Sequence, residues 1–323
     1  MKRIFCTLFD SYFLSKGITL FESLKTHCPD FILYVFAFDT VTENYLKSLN
    51  ERNLVVIPLK EFEDQELLNV KPKRSLAEYC WTSTPSTILY VLKTFNEREC
   101  TYLDSDLCFF DNPEILFSEL HENDSVIITD HRYTKVYDKS KLSGKYCVQF
   151  MYFKNDERGL KVLQWWRNAC LDWCYNRVED GKFGDQKYLD DWTERFEGIH
   201  VLSHLGGGVA PWNVQQYRIH GNDPILLEEK KTKKIFPLVF YHFHSVTLYK
   251  NEKIGYDNYF LGKTIKSTIY KFYAKKLIEN DQKLLGKNLN MKEKRKMNIA
   301  TVSRLKNMIF RTWNVYPYSE VVK

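Results

Sequence analysis

Apolar and polar positions follow two alternating periods along the first 200 residues of the chain. Short, nearly continuous apolar runs predict buried strands at 4–9, 31–38, 54–59, 101–104, 125–129 and 146–153. Between them, apolar residues recur every three or four positions, which predicts helices at 13–26, 42–49, 84–95, 160–175 and 185–192. Strands that alternate with helices favour an α/β fold, with a mostly parallel sheet flanked by helices on both faces.

A proline marks the predicted start of one of these helices. Pro85 lacks a backbone N–H, and the first turn of a helix is where that donor is not needed. We therefore expect the helix at 84–95 to begin immediately before this proline.

Two aspartates lie at and just after the end of the predicted strand 101–104. Asp104 and Asp106 lie within Thr101-Tyr-Leu-Asp-Ser-Asp-Leu-Cys-Phe-Phe110, with apolar residues on both sides. Burying two ionised carboxylates together is costly unless a cation neutralises them. Oxygen ligands two positions apart can reach one hard divalent ion where the chain turns. A solvated turn is the alternative, but the flanking apolar runs favour a metal site that serves a phosphate-bearing ligand.

Three later segments carry further candidate chemistry. Asp185 and Gln186 follow Gly184, where the aspartate can also simply cap a helix. The glycine-rich segment 206–213 ends in Trp212-Asn213, and its glycines allow the backbone to approach a ligand closely. The segment Phe240-Tyr-His-Phe-His244 places two histidines on the same face of a strand, where either is a plausible metal ligand.

Composition favours a well-packed globular protein with reduced thiols. Of the 323 residues, 44% are hydrophobic and 15% aromatic, and no apolar stretch approaches the roughly 18 residues of a membrane span. The apolar start of the chain is short and meets Asp10 at once, so we interpret it as a first strand rather than a signal peptide. Eight scattered cysteines within apolar segments indicate buried thiols of a cytoplasmic protein.

Charge divides the chain into two parts at about residue 260. Residues 261–323 contain 15 lysines and arginines but 4 acidic residues, a net charge of +11 that leaves −5 for residues 1–260. We expect a catalytic domain at 1–260 and a basic amphipathic helical tail at 261–323, with Ile309, Phe310 and Trp313 among its apolar residues. The tail fits peripheral binding to the anionic inner face of the cell membrane, or a helix packed on the domain with a solvated lysine face. No nucleic-acid recognition motif accompanies it, so we expect no nucleic-acid partner.

Together these motifs resemble those of the GT-A nucleotide-sugar glycosyltransferases, over roughly residues 1–250. They are most similar to the family 8-like retaining enzymes, which include bacterial lipopolysaccharide galactosyl- and glucosyltransferases and glycogenin. Tyr102-Leu-Asp-Ser-Asp106 is similar to the family's Y-L-D-x-D, Asp185-Gln186 to its D-Q, and His242-Phe-His-Ser-Val-Thr247 to its late H-F-x-G-x-K. The resemblance implies a GT-A, Rossmann-like fold.

The third metal ligand has three candidates. The resemblance implies His242, with His244 as its neighbour on the same face. His204 is a rival, because His204-Leu-Gly-Gly followed by Pro-Trp imitates a related pattern. The phosphate-binding lysine of the family is replaced in either alignment, by Thr247 or by Val209, and Arg74 could supply part of its charge.

The resemblance also implies an activity and its partners. It implies transfer of a hexose, with retention of configuration, from a nucleoside-diphosphate sugar such as a UDP-sugar to a glycan or lipid-linked oligosaccharide. The pathway would be bacterial surface polysaccharide synthesis. Mn²⁺ or Mg²⁺ would be held by Asp104, Asp106 and His242, while Asp185 and Gln186 face the sugar. Candidate nucleotide-sugar contacts are Thr7, Phe9, Tyr12, Asp39, Arg74, Asp104, Ser105, Trp212 and Asn213.

Other functional classes fit parts of the same sequence. A sugar-phosphate nucleotidyltransferase would carry a glycine-rich basic loop after the first strand, where this chain has Phe9-Asp-Ser-Tyr-Phe-Leu14. A two-carboxylate hydrolase leaves the histidine pair unexplained. A non-catalytic, membrane-docked protein that binds nucleotide-sugar or glycan would show metal-dependent binding without turnover.

Overall fold

The computed structural model describes residues 2–287, 289, 291, 292, 294 and 312–323. The strands are β1 Arg3–Phe9, β2 Phe31–Ala37, β3 Leu54–Pro58, β4 Glu99–Leu103, β5 Leu107–Phe109, β6 Val126–Asp130, β7 Tyr146–Lys154, β8 Ile199–Val201, β9 Tyr217–Asn222, β10 Ile225–Glu229, β11 Ile235–Pro237, β12 Phe240–His242, β13 Thr247–Tyr249, β14 Lys253–Gly255 and β15 Val315–Pro317. The α-helices are α1 Leu14–His27, α2 Thr40–Ser48, α3 Leu59–Phe62, α4 Gln65–Val70, α5 Leu76–Thr94, α6 Glu114–Phe117, α7 Ser140–Ser143, α8 Glu157–Asp172, α9 Trp192–Arg195, α10 Lys263–Ile265, α11 Lys271–Leu285 and a last short helix, Tyr318–Val322. Short 3₁₀ turns cover Lys71–Lys73, Lys187–Asp191 and Val214–Gln216, and a π-helical turn covers Lys266–Tyr270.

These elements form two compact units. The described residues of Met1–Asp10, Cys28–Ser105 and Glu114–His204 form the first unit, and those of Ser11–His27, Asp106–Pro113 and Leu205–Lys323 form the second.

The first unit is built on a seven-stranded sheet with the strand order β3-β2-β1-β4-β7-β6-β8. The pairs β3–β2, β2–β1, β1–β4 and β6–β8 are parallel, and β7 runs antiparallel to both of its neighbours. Every residue of β1 is buried, which explains why its sequence is apolar throughout instead of alternating. The predicted α/β class with a mostly parallel sheet is confirmed.

The helix that precedes β4 begins earlier than we predicted. Instead of starting at Thr84, α5 starts after Ser75, whose hydroxyl accepts a hydrogen bond from the N–H of Glu78 while the Glu78 carboxylate accepts one from the N–H of Ser75. This reciprocal capping box is a strong start signal that outweighs a proline. Pro85 therefore lies inside the helix.

Hydroxyl groups satisfy carbonyl oxygens in the turn around Pro85. Thr82 donates to the carbonyl of Glu78 at 2.8 Å, and Thr84 donates to that of Cys80 at 3.2 Å. Both hydroxyls bond to a carbonyl one turn earlier, whereas the N–H that Pro85 lacks would have donated to the carbonyl of Trp81.

The second unit packs α1 against α11 and β5, with small antiparallel sheets around them. Its core is rich in aromatic side chains, and the rings of Phe243 and Tyr273 stack with centroids 3.7 Å apart. The apolar stripe of α11 is buried, including Leu277 and Ile278. Part of the predicted amphipathic tail is thus a packed helix.

The predicted tail extends beyond α11. Ile309 and Phe310 lie outside the described residues. Within the part of the chain that the structure describes, no helix combines the length and the apolar character that crossing a membrane requires.

Gly159 in the first turn of α8 provides a test of the packing between this helix and β7. A Cβ at this position would lie 2.2 Å from the carbonyl oxygen of Lys154, which is strand backbone and cannot move away. We expect Gly159→Ala to lower the free energy of unfolding by about 1–3 kcal/mol, although alanine gains about 1 kcal/mol in helix propensity.

Urea unfolding measures this effect. Gly286→Ala is the matched control, because its added Cβ would meet nothing closer than 3.6 Å. Wild-type stability of Gly159→Ala would contradict the packing described here.

Candidate active site

A short turn connects β4 to β5 and carries both carboxylates of the predicted metal site. The backbone N–H of Asp104 donates to the carbonyl of Gln149 in β7 at 3.0 Å. The carbonyl of Asp106 accepts from the N–H of Phe243 at 2.9 Å. Hydrogen bonds at both ends therefore fix the backbone of the turn, and Ser105 between the aspartates is buried.

Asp106 lies between two cationic or potentially cationic side chains. Its Oδ1 is 3.1 Å from Nε2 of His242, and its Oδ2 is 3.5 Å from Nζ of Lys16. Burial raises the pKa of the Asp106 carboxyl, but Lys16 and His242 outweigh burial and hold that pKa well below its usual range. Asp106 is consequently ionised at neutral pH.

His242 is positioned by backbone hydrogen bonds and by an aromatic neighbour. It ends β12, opposite Leu107 of β5, and its N–H donates to the carbonyl of Val209 at 2.8 Å. The Trp212 ring meets the His242 ring edge-on, with centroids 5.3 Å apart. His244 lies beyond the end of the strand and is exposed, although its ring centroid is 5.7 Å from that of His242.

The three predicted ligands lie close enough to bind one metal ion. One oxygen each of Asp104 and Asp106 and one ring nitrogen of His242 all lie within 4.8 Å of one another. Donor atoms around one small divalent ion lie roughly 3–4 Å apart, since each bond is roughly 2 Å long. The two carboxylates suit Mn²⁺ or Mg²⁺, and a neutral imidazole is a common metal ligand, so the residues fit the predicted ion. Among the described residues, neither His204 nor His244 belongs to such a group.

Asp185 is buried beside the acidic turn. Its carbonyl accepts a hydrogen bond from the indole N–H of Trp166 at 2.9 Å. Burial, assisted by the negative charge of Asp104, raises the pKa of Asp185 to about 8.

Gln186 is oriented by the loop that precedes β7. Its Nε2 donates to the carbonyl of Ser143 at 2.6 Å, and the neighbouring Lys187 donates to the carbonyl of Ser140 at 3.0 Å. Because the amide nitrogen is held in this way, the amide oxygen is the atom of Gln186 that remains suited to contact a substrate.

Three predicted nucleotide contacts lie at or near the carboxyl ends of β1 and β2. Phe9 ends β1 and is buried. Thr7 is also buried, and its hydroxyl has no hydrogen-bond partner among the described residues. Asp39 caps α2, with Oδ1 accepting from the N–H of Thr42 at 2.8 Å. Tyr12 lies in the turn before α1, with its ring edge-on to Phe13.

Two of the remaining predicted contact residues, Arg74 and Asn213, are held in place by interactions within the protein. The guanidinium of Arg74 lies 3.8 Å from the ring centroid of Tyr175, a cation–π contact. The buried Asn213 amide closes the glycine-rich segment, because it accepts from the N–H of Ala210 and donates to the carbonyl of Gly208, each at 2.9 Å. Gly208 has a φ of +89°, a conformation that favours glycine.

Lys16 is a site residue that our sequence analysis missed. It lies on the α1 stripe of Phe13, Lys16, Leu20 and Leu24, so a lysine stands where the helical period calls for an apolar residue. A lysine at an apolar position of the helix was the sequence signal that could have identified this residue.

The raised pKa of Asp185 generates a pH prediction for the metal-free protein. The folded state keeps this proton up to about pH 8, whereas an unfolded aspartate loses it near pH 4. The free energy of unfolding should therefore fall as pH rises between these values, by up to about 1.4 kcal/mol per unit. Asp185→Asn should make that fall shallower.

Chemical unfolding in EDTA at several pH values measures the slope. Asp191→Asn is the control, since this carboxylate is exposed and paired with Arg195. Equal slopes for wild type and Asp185→Asn would rule out a buried, protonated Asp185.

The chain is similar in sequence to proteins of Bacillus subtilis. No family model matches the sequence. The chain is 31% identical to YfnD of Bacillus subtilis (strain 168) over 252 residues, covering 76% of this chain and 78% of that protein. It is 32% identical to YfnF of the same strain over 251 residues, covering 75% and 81%. Both relatives are uncharacterized proteins.

A solved structure shares the fold. The galactosyltransferase LgtC, solved in complex with donor and acceptor sugar analogues, superposes with a TM-score of 0.52 at 11% identity, covering 95% of this chain and 100% of that one. The chain therefore belongs to the same family as YfnD and YfnF, and it has the fold of the GT-A glycosyltransferases.

Proposed function

We propose that this protein is a metal-dependent glycosyltransferase that moves a hexose from a nucleoside-diphosphate sugar, a UDP-sugar, to a glycan or lipid-linked oligosaccharide. The observation that carries the proposal is the group formed by Asp104 and Asp106, which follow β4, and His242, which ends β12, in a chain with the GT-A fold. LgtC, with the same fold, was solved with donor and acceptor sugar analogues. Because the motifs resemble those of the family 8-like bacterial enzymes, we propose bacterial surface polysaccharide synthesis as the pathway.

The residues of the candidate site would bind the nucleotide-sugar donor. Asp104, Asp106 and His242 would hold Mn²⁺ or Mg²⁺, which when bound acts as a Lewis acid toward the diphosphate leaving group. Asp106 needs no deprotonation step, because its pKa is already low. Thr7, Phe9, Tyr12, Asp39, Arg74 and Ser105 are the proposed contacts of the nucleotide.

Asp185 and Gln186 are the proposed sugar contacts. With its nitrogen bound to Ser143, Gln186 would direct its amide oxygen at the lower face of the sugar and stabilise positive charge that develops on the ring. Asp185 would hold sugar hydroxyl groups, and retention of configuration would follow from this one-sided stabilisation. Trp212 would present a flat apolar surface to the acceptor or to the donor sugar, with Asn213 holding its loop.

Thermal unfolding with a panel of nucleoside diphosphates and nucleotide sugars, with and without Mn²⁺, tests the proposal. A UDP-sugar at about 100 times its Kd should stabilise the protein by roughly 2.7 kcal/mol, and only when Mn²⁺ is present. Asp106→Asn and His242→Ala should abolish the Mn²⁺-dependent part. His204→Ala and His244→Ala should retain it.

Product analysis separates the alternatives. Transfer to an acceptor with an unchanged anomeric configuration by NMR supports the retaining transferase. Mn²⁺-dependent binding without transfer or hydrolysis would indicate a non-catalytic binding protein. Formation of the nucleotide sugar from a nucleoside triphosphate and a sugar phosphate would indicate a nucleotidyltransferase.

We also propose peripheral association of the basic tail with anionic membrane. Since the apolar stripe of α11 is packed, the attraction would be electrostatic, through exposed lysines such as Lys276, Lys283 and Lys287. Each contributes on the order of 1 kcal/mol near an anionic surface. Replacing all three by glutamine should weaken co-sedimentation with phosphatidylglycerol vesicles at low salt.

A control with the same charge change keeps this test specific. Lys135, Lys139 and Lys141 are exposed lysines of the first unit, and their replacement by glutamine should leave vesicle binding unchanged. Wild-type binding that ignores both salt and lipid charge would contradict the electrostatic model.

A further inference from the structure

Lys16 is a buried ammonium next to a carboxylate of the candidate metal site. Its side chain is 11% exposed, and its Nζ lies 3.5 Å from Oδ2 of Asp106 and 4.7 Å from the ring centroid of Phe13. Lysines are rarely this buried unless they are paired. The first turn of α1 is also an unfavourable place for a cation, because the helix dipole is positive there. The chain thus places a buried positive charge, paired with Asp106, at the helix end that disfavours cations.

A divalent ion on Asp106 would lie near this ammonium. Asp106 already contacts Lys16 through Oδ2 and His242 through Oδ1. An ion that takes up the negative charge of Asp106 removes the partner that stabilises Lys16 and adds a repulsive charge. An ion bound alone is therefore disfavoured by Lys16.

A diphosphate bound with the ion would make the charge of Lys16 favourable instead of unfavourable. Its oxygens carry several negative charges, and a lysine is an effective point-charge partner for phosphate. With the ion and the diphosphate both bound, Lys16 would gain a phosphate partner in place of the carboxylate, and the positive charges of the site would be balanced.

We propose that Lys16 couples the two ligands: it opposes a divalent cation alone and favours a cation accompanied by a diphosphate. The inference rests on the proposed function, because it assumes that Asp104, Asp106 and His242 bind the ion. Lys16 would thus weaken metal binding until the donor is present.

Calorimetric titration with two probes, Mn²⁺ alone and the preformed complex of Mn²⁺ with pyrophosphate, tests this coupling. The measured quantity is the Kd of Mn²⁺ alone divided by the Kd of the complex. Because coupling between two binding ligands is reciprocal, this ratio reports how each ligand affects the binding of the other. In the wild type the complex should bind at least tenfold more tightly than Mn²⁺ alone. In Lys16→Met, Mn²⁺ alone should bind more tightly than in wild type, and the ratio should fall at least tenfold.

Three further variants make the result specific. Lys16→Gln repeats the charge loss in a polar side chain, so the test stands if the methionine variant folds poorly. Lys16→Arg keeps the charge and should retain most of the ratio. Lys25→Met is the matched control, because Lys25 lies on the same helix, is exposed, and also contacts a ring, that of Phe21.

The outcomes distinguish this inference from the function beneath it. An unchanged ratio in both neutral variants, with normal Mn²⁺ binding, overturns the role of Lys16 and leaves the metal site intact. A lower urea midpoint without a change in the ratio would show that Lys16 only neutralises Asp106. If neither Mn²⁺ nor its pyrophosphate complex binds to any of the proteins, wild type included, the metal site is overturned and the coupling with it.

Discussion

The need to neutralise two adjacent carboxylates at the end of a buried strand governs the site. Asp104 and Asp106 are held by backbone hydrogen bonds at both ends of their turn, so they cannot relax apart. Lys16 and His242 balance one of them within the protein. Lys16 and His242 lower the pKa of Asp106, whereas burial, assisted by the charge of Asp104, raises the pKa of Asp185.

The sheet and the acidic turn were predictable because they depend on local patterns. Buried parallel strands are apolar along their whole length, and β1 and β2 show this clearly in the sequence. The start of α5 was not predicted, because Pro85 was interpreted as a first-turn residue and the capping box of Ser75 and Glu78 was not identified. The helix begins at that capping box, where two reciprocal hydrogen bonds satisfy backbone N–H groups.

Partners that come from distant parts of the chain were harder to predict. Three histidines were candidates in the sequence, and the pairing of β12 with β5 places His242 opposite the residue that follows Asp106. Lys16 was missed because a helical pattern identifies apolar positions and assigns charged ones to solvent. Only the tertiary structure shows that this lysine faces a carboxylate.

The antiparallel direction of β7 has a consequence for how this fold can diversify. Asp130 at the end of β6 pairs with Tyr146 at the start of β7, so the intervening segment, residues 131–145, leaves and re-enters the sheet at the end where β4 delivers Asp104. That segment already orients Gln186 through Ser143. Insertions or substitutions in residues 131–145 would change the surroundings of Asp104 and Gln186 without disturbing the pairing of β6 with β7.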